Sequence, residues 1–129
     1  MASRRILIVD DNATNLKLVA YLMSANGFEV VTARDAEAAL AEIAATPPGV
    51  ILMDLQLPGI DGLELTRRLK ADPATRGILI VAVTAYAMKG DEERAREAGC
   101  DDYVTKPIDT RSLPARIAAH LDARAAEPP

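Results

Sequence analysis

Short unbroken apolar runs alternate with amphipathic stretches along this chain. Ile6-Leu7-Ile8-Val9 is four apolar residues in a row, three of them β-branched, which suits a strand buried on both faces of a parallel sheet. Asp10-Asp11-Asn12 follows, and Asn12 can cap a helix predicted to run to Asn26 before Gly27 closes it. The alternation then repeats. Residues 28–33 read as a strand and 35–45 as an Ala-rich helix that Pro47-Pro48-Gly49 ends. The wholly apolar 50–53 runs into Asp54, and Leu57-Pro58-Gly59 turns the chain into a helix over 61–71 that Asp72-Pro73 stops. Residues 78–83 form a further apolar strand that ends at Thr84-Ala85. A short helix with Asp91, Glu92 and Glu93 in its first turn finishes at Gly99. Residues 102–105 make a last strand before Lys106-Pro107, and the final helix carries Leu113, Ile117 and Leu121 at spacing four. Pro114 sits past the first turn of a helix started at Asp109, so that helix starts nearer Ser112 or is locally distorted.

Five strands alternating with five helices predict an α/β domain, a doubly wound five-stranded parallel sheet with helices on both faces. The length of 129 residues fits one domain, read here as 4–122, with 123–129 a frayed tail. Fifteen Lys and Arg against nineteen Asp and Glu give a net charge of −4, with no basic run for nucleic acid or an anionic membrane surface. Cys100 is the only cysteine, which leaves no internal disulfide. The first apolar run is too short for a signal peptide, and no stretch could span a bilayer. The expected compartment is the cytoplasm.

Ligands of an open parallel sheet bind beyond the carboxyl ends of its strands. Asp10 and Asp11, Asp54, Thr84 and Lys106 all fall there. One Asp at a strand end is commonly just a cap for the next helix, but three converging carboxylates repel one another unless a divalent cation lies among them. Hard oxygen ligands suit Mg²⁺, with Mn²⁺ as an alternative ion. A lysine and a hydroxyl on neighbouring strands complete a cradle for a phosphoryl group, and one carboxylate can act as nucleophile to form an aspartyl phosphate.

Val9-Asp10-Asp11, the run from Met53-Asp54 through Pro58-Gly59 to Asp61-Gly62, Val83-Thr84-Ala85, and Asp102-Tyr103-Val104-Thr105-Lys106-Pro107 resemble the receiver domain of two-component response regulators, in order and with similar spacing. That fold is flavodoxin-like, or CheY-like. The resemblance implies that Asp54 accepts a phosphoryl group from a sensor histidine kinase or histidine phosphotransferase and so switches a surface that docks a downstream protein. It implies Mg²⁺ held by Asp10, Asp11, Asp54 and the backbone carbonyl of Gln56, one acid acting through water. Lys106 pairs with the phosphoryl group, the Lys106–Pro107 bond is cis, and Tyr103 turns inward on activation as Thr84 closes on the phosphoryl oxygens. Gln56 and Tyr86, two residues after Asp54 and Thr84, either set how fast water attacks the phosphoryl group or merely line the rim. The stretch from Thr84 to Arg94, followed by Gly99-Cys100, is similar to hybrid-kinase receivers and to single-domain cell-cycle regulators of the DivK type. Such a domain is no enzyme beyond self-phosphorylation and slow autodephosphorylation, and is a monomer that at most pairs weakly once phosphorylated.

Two other chemistries use a similar fold or nucleophile. A dehalogenase-type phosphohydrolase also uses a strand-end Asp, but needs a second acid where Gln56 stands. A flavodoxin-like mononucleotide binder would not place Asp10-Asp11 against a phosphate. A third alternative is a phosphorylation-independent interaction module, against which the intact acid, Thr and Lys set argues. In the first predicted helix, Leu16, Val19, Leu22 and Met23 form the stripe that faces the sheet, while Thr14, Leu18, Tyr21 and Ala25 form a second one. Leu18 and Tyr21 on that second stripe either dock the phosphodonor or pack against the last helix. His120 reads as a surface or packing histidine.

Overall fold

The computed structural model describes residues 4–57, 59, 61–84 and 90–126, with side chains to 123. It alternates β1 (Arg5–Val9), α1 (Ala13–Ala25), β2 (Glu29–Ala33), α2 (Ala36–Ala45), β3 (Val50–Asp54), α3 (Gly62–Ala71), β4 (Leu79–Thr84), α4 (Asp91–Ala98), β5 (Asp102–Thr105) and α5 (Leu113–Ala126). The five strands form one sheet in the order β2-β1-β3-β4-β5. Each pair is parallel, with Val9 beside Met53 and Asp54 beside Val83. Helices cover both faces, as the doubly wound reading requires.

Strand alternation sends each apolar run into two cores. On one face Leu7, Val9, Ile51, Met53, Ile80 and Ala82 meet α2, α3 and α4 through Ala36, Ala39, Ile43, Leu65, Leu69 and Ala95. On the other, Ile6, Ile8, Val50, Leu52, Leu79 and Val81 meet α1 and α5 through Leu16, Val19, Met23, Leu113, Ile117 and Leu121. Every residue of β3 and β4 is buried, which explains why those runs carry no polar alternation. The first core mixes larger aliphatic residues with small ones, five alanines and Cys100 being among its buried members, whereas no alanine is among those of the second.

Helix starts follow the capping residues. Asn12, Asp35 and Asp61 accept the backbone N–H groups of Asn15, Ala38 and Glu64 at 3.0, 2.8 and 2.8 Å, each cap contributing about 1 kcal/mol. Gly90 and Gly99 bound α4 with φ of 93° and 109°, a left-handed backbone that a side chain would strain. A turn over Asp109–Ser112 precedes α5, so Pro114 is its second residue, where its missing N–H costs no intrahelical bond. The helix then continues to Ala126, four residues past Asp122. Several boundaries differ from the sequence reading by a residue, among them β4, which spans Leu79–Thr84 and includes the threonine, and α1, which ends at Ala25 with Asn26 as its cap.

In this strand order the chain reverses direction between β1 and β3, the place where an open sheet leaves a crevice at its carboxyl end.

Candidate functional site

Five chemistry-bearing residues reach that crevice from four parallel strands. Asp10 and Asp11 follow β1, Asp54 ends β3, Thr84 ends β4 and Lys106 follows β5. Asp10, Asp54 and Thr84 are 7%, 3% and 1% exposed, while Asp11 faces solvent. The strand ends are tied together by backbone bonds: Leu55 N–H donates to the Val83 carbonyl at 2.9 Å and Lys106 N–H to the Thr84 carbonyl at 2.8 Å. Parallel register therefore fixes the spacing of the site, which no local stretch of sequence encodes.

Oxygens of Asp10, Asp11 and Asp54 all lie within 4.8 Å of one another. The Lys106 ammonium stands 3.3 Å from Asp54 Oδ2 and 3.5 Å from Asp10 Oδ2. Three carboxylates against one ammonium leave an excess of two negative charges, which a divalent cation balances. Burial pushes the Asp10 carboxyl above its ordinary 3.8; the Asn12 N–H and Lys106 pull the other way, and neighbouring Asp54 adds to the rise. All-oxygen donors in an acidic site open to solvent at Asp11 fit Mg²⁺ or Mn²⁺ and suit soft ions poorly.

Gln56 grips the site twice. Its N–H donates to Asp54 Oδ1 at 2.9 Å, and its side-chain Nε2 donates to Thr84 Oγ1 at 2.8 Å. Gly62, the first residue of α3, lies so close to the Asp54 main chain that a Cβ there would stand 2.4 Å from the Asp54 carbonyl oxygen. Close approach is the reason for glycine at this position, since none of its backbone angles demands one.

The remaining expected residues are placed as follows. The Lys106–Pro107 peptide is cis. Tyr103 is half-buried at the edge of the core that α2, α3 and α4 cover; desolvation, and then Asp91 and Glu92, raise its phenol above 10.0. Tyr86 lies outside the described residues. Leu18 and Tyr21 are 55% and 77% exposed, so neither is a core residue held by α5, whereas Leu16, Val19 and Met23 are buried and Leu22 half-buried. Sequence reasoning missed two features. Arg34 at the end of β2 donates to the Asp11 carbonyl at 3.3 Å. Asp102 on β5 accepts Arg116 Nε and Nη2 at 2.6 and 2.7 Å, and it meets His120 Nε2 at 2.9 Å. The one available signal for the latter was Arg116 and His120 at spacing four on one helix face, with an acid at the start of the preceding strand.

Several comparisons match this geometry. The family model described as the response regulator receiver domain matches residues 6–118. Polar-differentiation response regulator DivK of Brucella ovis is 44% identical over 119 residues, covering 92% of this chain and 97% of that protein, and DivK of Brucella anthropi is 44% identical over 118 residues. A CheY-like receiver domain protein from Methanospirillum hungatei superposes with a TM-score of 0.89 at 32% identity, covering 98% of this chain and 99% of that one. The receiver domain of a histidine kinase from Syntrophus aciditrophicus gives 0.87 at 28% identity, covering 96% and 94%. A receiver with this strand order and acidic cluster accounts for both the sequence matches and the superpositions, and the chain belongs to the response regulator receiver domain family, of the DivK type.

Proposed function

We propose that Asp54 is the phosphoacceptor of this signalling receiver, and that Lys106 and Thr84 are the groups that hold the phosphoryl oxygens. An Asp54 carboxylate oxygen attacks the phosphorus of a phosphohistidine. The P–O bond forms as the P–N bond breaks, and the freed imidazole nitrogen takes a proton from water. The Gln56 N–H holds one carboxylate oxygen while Lys106 faces the other, so the nucleophile is oriented before the donor arrives. Asp10, Asp11, Asp54 and the Gln56 carbonyl would hold the divalent ion, which neutralises charge on the phosphoryl oxygens when bound. With phosphoryl oxygens in place, Thr84 moves toward them and Tyr103 turns inward, reshaping the face made by α4, β5 and α5 for a downstream protein. The single observation that carries this reading is the buried Asp54 flanked by Lys106, Thr84 and two further carboxylates.

A hydrolase of small phosphate esters would need a second acid at Gln56, and the Gln56 side chain is already directed to Thr84. Autodephosphorylation by water is the only turnover this site is built for, and its lifetime is set from Gln56 and Tyr86. The donor is a histidine kinase or histidine phosphotransferase that seats on α1, where the exposed Leu18 and Tyr21 present apolar surface. No helix among the described residues is long and apolar enough to cross a membrane, and the reading places the exchange in the cytoplasm. Incubation with acetyl phosphate and Mg²⁺, followed by intact mass, tests the assignment. One phosphoryl group is expected, lost in Asp54→Asn and with chelator; label that survives both changes would overturn the reading.

A further inference from the structure

Gln56 is exposed, yet two of its groups are engaged at the site and a third is the proposed metal ligand. The backbone N–H is fixed on Asp54 Oδ1 at 2.9 Å, and the side-chain amide reaches back to donate to Thr84 Oγ1 at 2.8 Å across 28 positions of sequence. We infer that Gln56 is a positioning residue: its amide holds the Thr84 hydroxyl in the resting place, and phosphorylation must draw the hydroxyl away from it. This rests on the roles proposed for Asp54 and Thr84, and it assigns to the Gln56 side chain a task apart from its backbone carbonyl.

The chemistry of the hydroxyl gives the latch its form. A phosphoryl oxygen only accepts, so Thr84 must donate its single hydroxyl hydrogen to it. The Gln56 amide donates to Thr84, so it fixes the oxygen without using that hydrogen. The two contacts are compatible in proton count and opposed in position, because the phosphoryl group grows from Asp54 and pulls the hydroxyl toward that side. The main chain of Gln56 cannot simply follow. Its own N–H is pinned to the Asp54 carboxylate, and the neighbouring Leu55 N–H is pinned to the Val83 carbonyl at 2.9 Å, the residue directly before Thr84. Thr84 is only 1% exposed, so bulk water does not replace a bond that is given up. A neutral hydrogen bond of this kind biases a two-state balance by about two- to tenfold toward the resting state.

The test compares ¹⁵N amide signals around Tyr103 in the unphosphorylated protein and in wild type phosphorylated with acetyl phosphate and Mg²⁺. Gln56→Met keeps the length and the backbone groups but has no donor. In the unphosphorylated protein its Tyr103 signals should be displaced along the line from resting to phosphorylated wild type, as the active share rises about two- to tenfold. Gln56→Asn, one methylene too short, should move them the same way. In a Thr84→Val background, where the hydroxyl is gone, Gln56→Met should add no displacement. A role limited to stiffening the loop after β3 would lower the melting temperature without moving Tyr103 along that line. Signals that coincide with wild type, that leave the line, or that shift equally in Thr84→Val would overturn the latch. Failure of wild-type Asp54 to take label would bring down the proposed function, and the latch with it.

Discussion

Replacing Gly62 with alanine should damage the phosphorylation site from outside it. Alanine is intrinsically favoured over glycine in a helix by up to about 1 kcal/mol, and Gly62 begins α3 without a positive φ, so local propensity alone predicts a more stable protein. Packing predicts the reverse. The added methyl would lie 2.4 Å from the Asp54 carbonyl oxygen, 2.8 Å from Leu55 Cα and 3.1 Å from the Asp54 carbonyl carbon. The first of these is more than half an ångström inside the 3.0 Å below which real Cβ contacts essentially never fall. All three neighbours are main chain, so no side-chain rotation relieves the clash. Overpacking of this kind costs about 1–3 kcal/mol, and subtracting the propensity gain of about 1 kcal/mol leaves a net loss of up to roughly 2 kcal/mol. The displaced groups carry the nucleophile, and misplacement approaching 1 Å can slow a reaction by up to about a hundredfold; acyl-phosphate labelling of Gly62→Ala should therefore slow by about tenfold or more. Urea denaturation and labelling followed by intact mass measure the two effects. A Gly62→Ala protein at least as stable as wild type that labels at the wild-type rate would refute the packing argument.

Thr84→Ala should still take label on Asp54 but lose most of the response at Tyr103, a coupling of about 1–3 kcal/mol; equal amide shifts around Tyr103 in both proteins would rule out that route. Leu18→Asp should leave labelling by acetyl phosphate intact and slow transfer from a phosphohistidine protein, because Leu18 is 55% exposed on α1; equal loss with both donors, along with a lower melting temperature, would place Leu18 in the core. Asp102 gives a pH dependence. Burial alone would raise its carboxyl, but bonds from Arg116, the Tyr103 N–H and His120 outweigh that and hold it at about 2 instead of 3.8. A carboxylate depressed in the fold stabilises it fully above about pH 4 and loses that contribution as pH falls toward 2. With Arg116 47% exposed, screening reduces the contribution to about 1–2 kcal/mol. Arg116→Gln should remove most of this contribution at pH 7 and flatten the acid limb between pH 4 and 2; denaturation curves that keep the wild-type slope would contradict it.

The parallel sheet was readable because β1, β3 and β4 are apolar runs that suit strands buried on both faces, whereas the order of the strands comes from the structure. Each of these strands is followed by a turn residue or a cap that the structure uses, as at Asn12 and Asp61. The site was readable for the same reason: polar residues at the ends of such runs must meet once the strands lie side by side. What stayed hidden depends on distances between elements far apart in sequence. The Gln56–Thr84 bond spans 28 positions and the Asp102 bonds to Arg116 and His120 span 14 and 18, and no periodicity reports where such side chains point. Gly62 stood in a run that pointed to the family, yet its physical reason, the Asp54 main chain beneath it, exists only in three dimensions. Pro114 was ambiguous because the chain spends a turn over Asp109–Ser112 before α5 begins.

The unequal size of the side chains in the two cores has a consequence for how the molecule opens. The buried members of the α1 and α5 face are Ile, Leu, Val, Met and Phe, while those of the α2, α3 and α4 face include five alanines and Cys100 beside larger aliphatic residues. Small side chains remove less apolar area from water per residue, about 0.8 kcal/mol for each missing methylene, so α4, whose buried residues are Ala95 and Ala98, is weakly attached. α4, the shortest helix and one with no side-chain cap, should be the first element to detach in spontaneous sub-global opening. Its amides should exchange with solvent deuterium well before those of α5, and a helix whose charged residues act on Tyr103 would then be one that can be repositioned without loosening the rest of the fold.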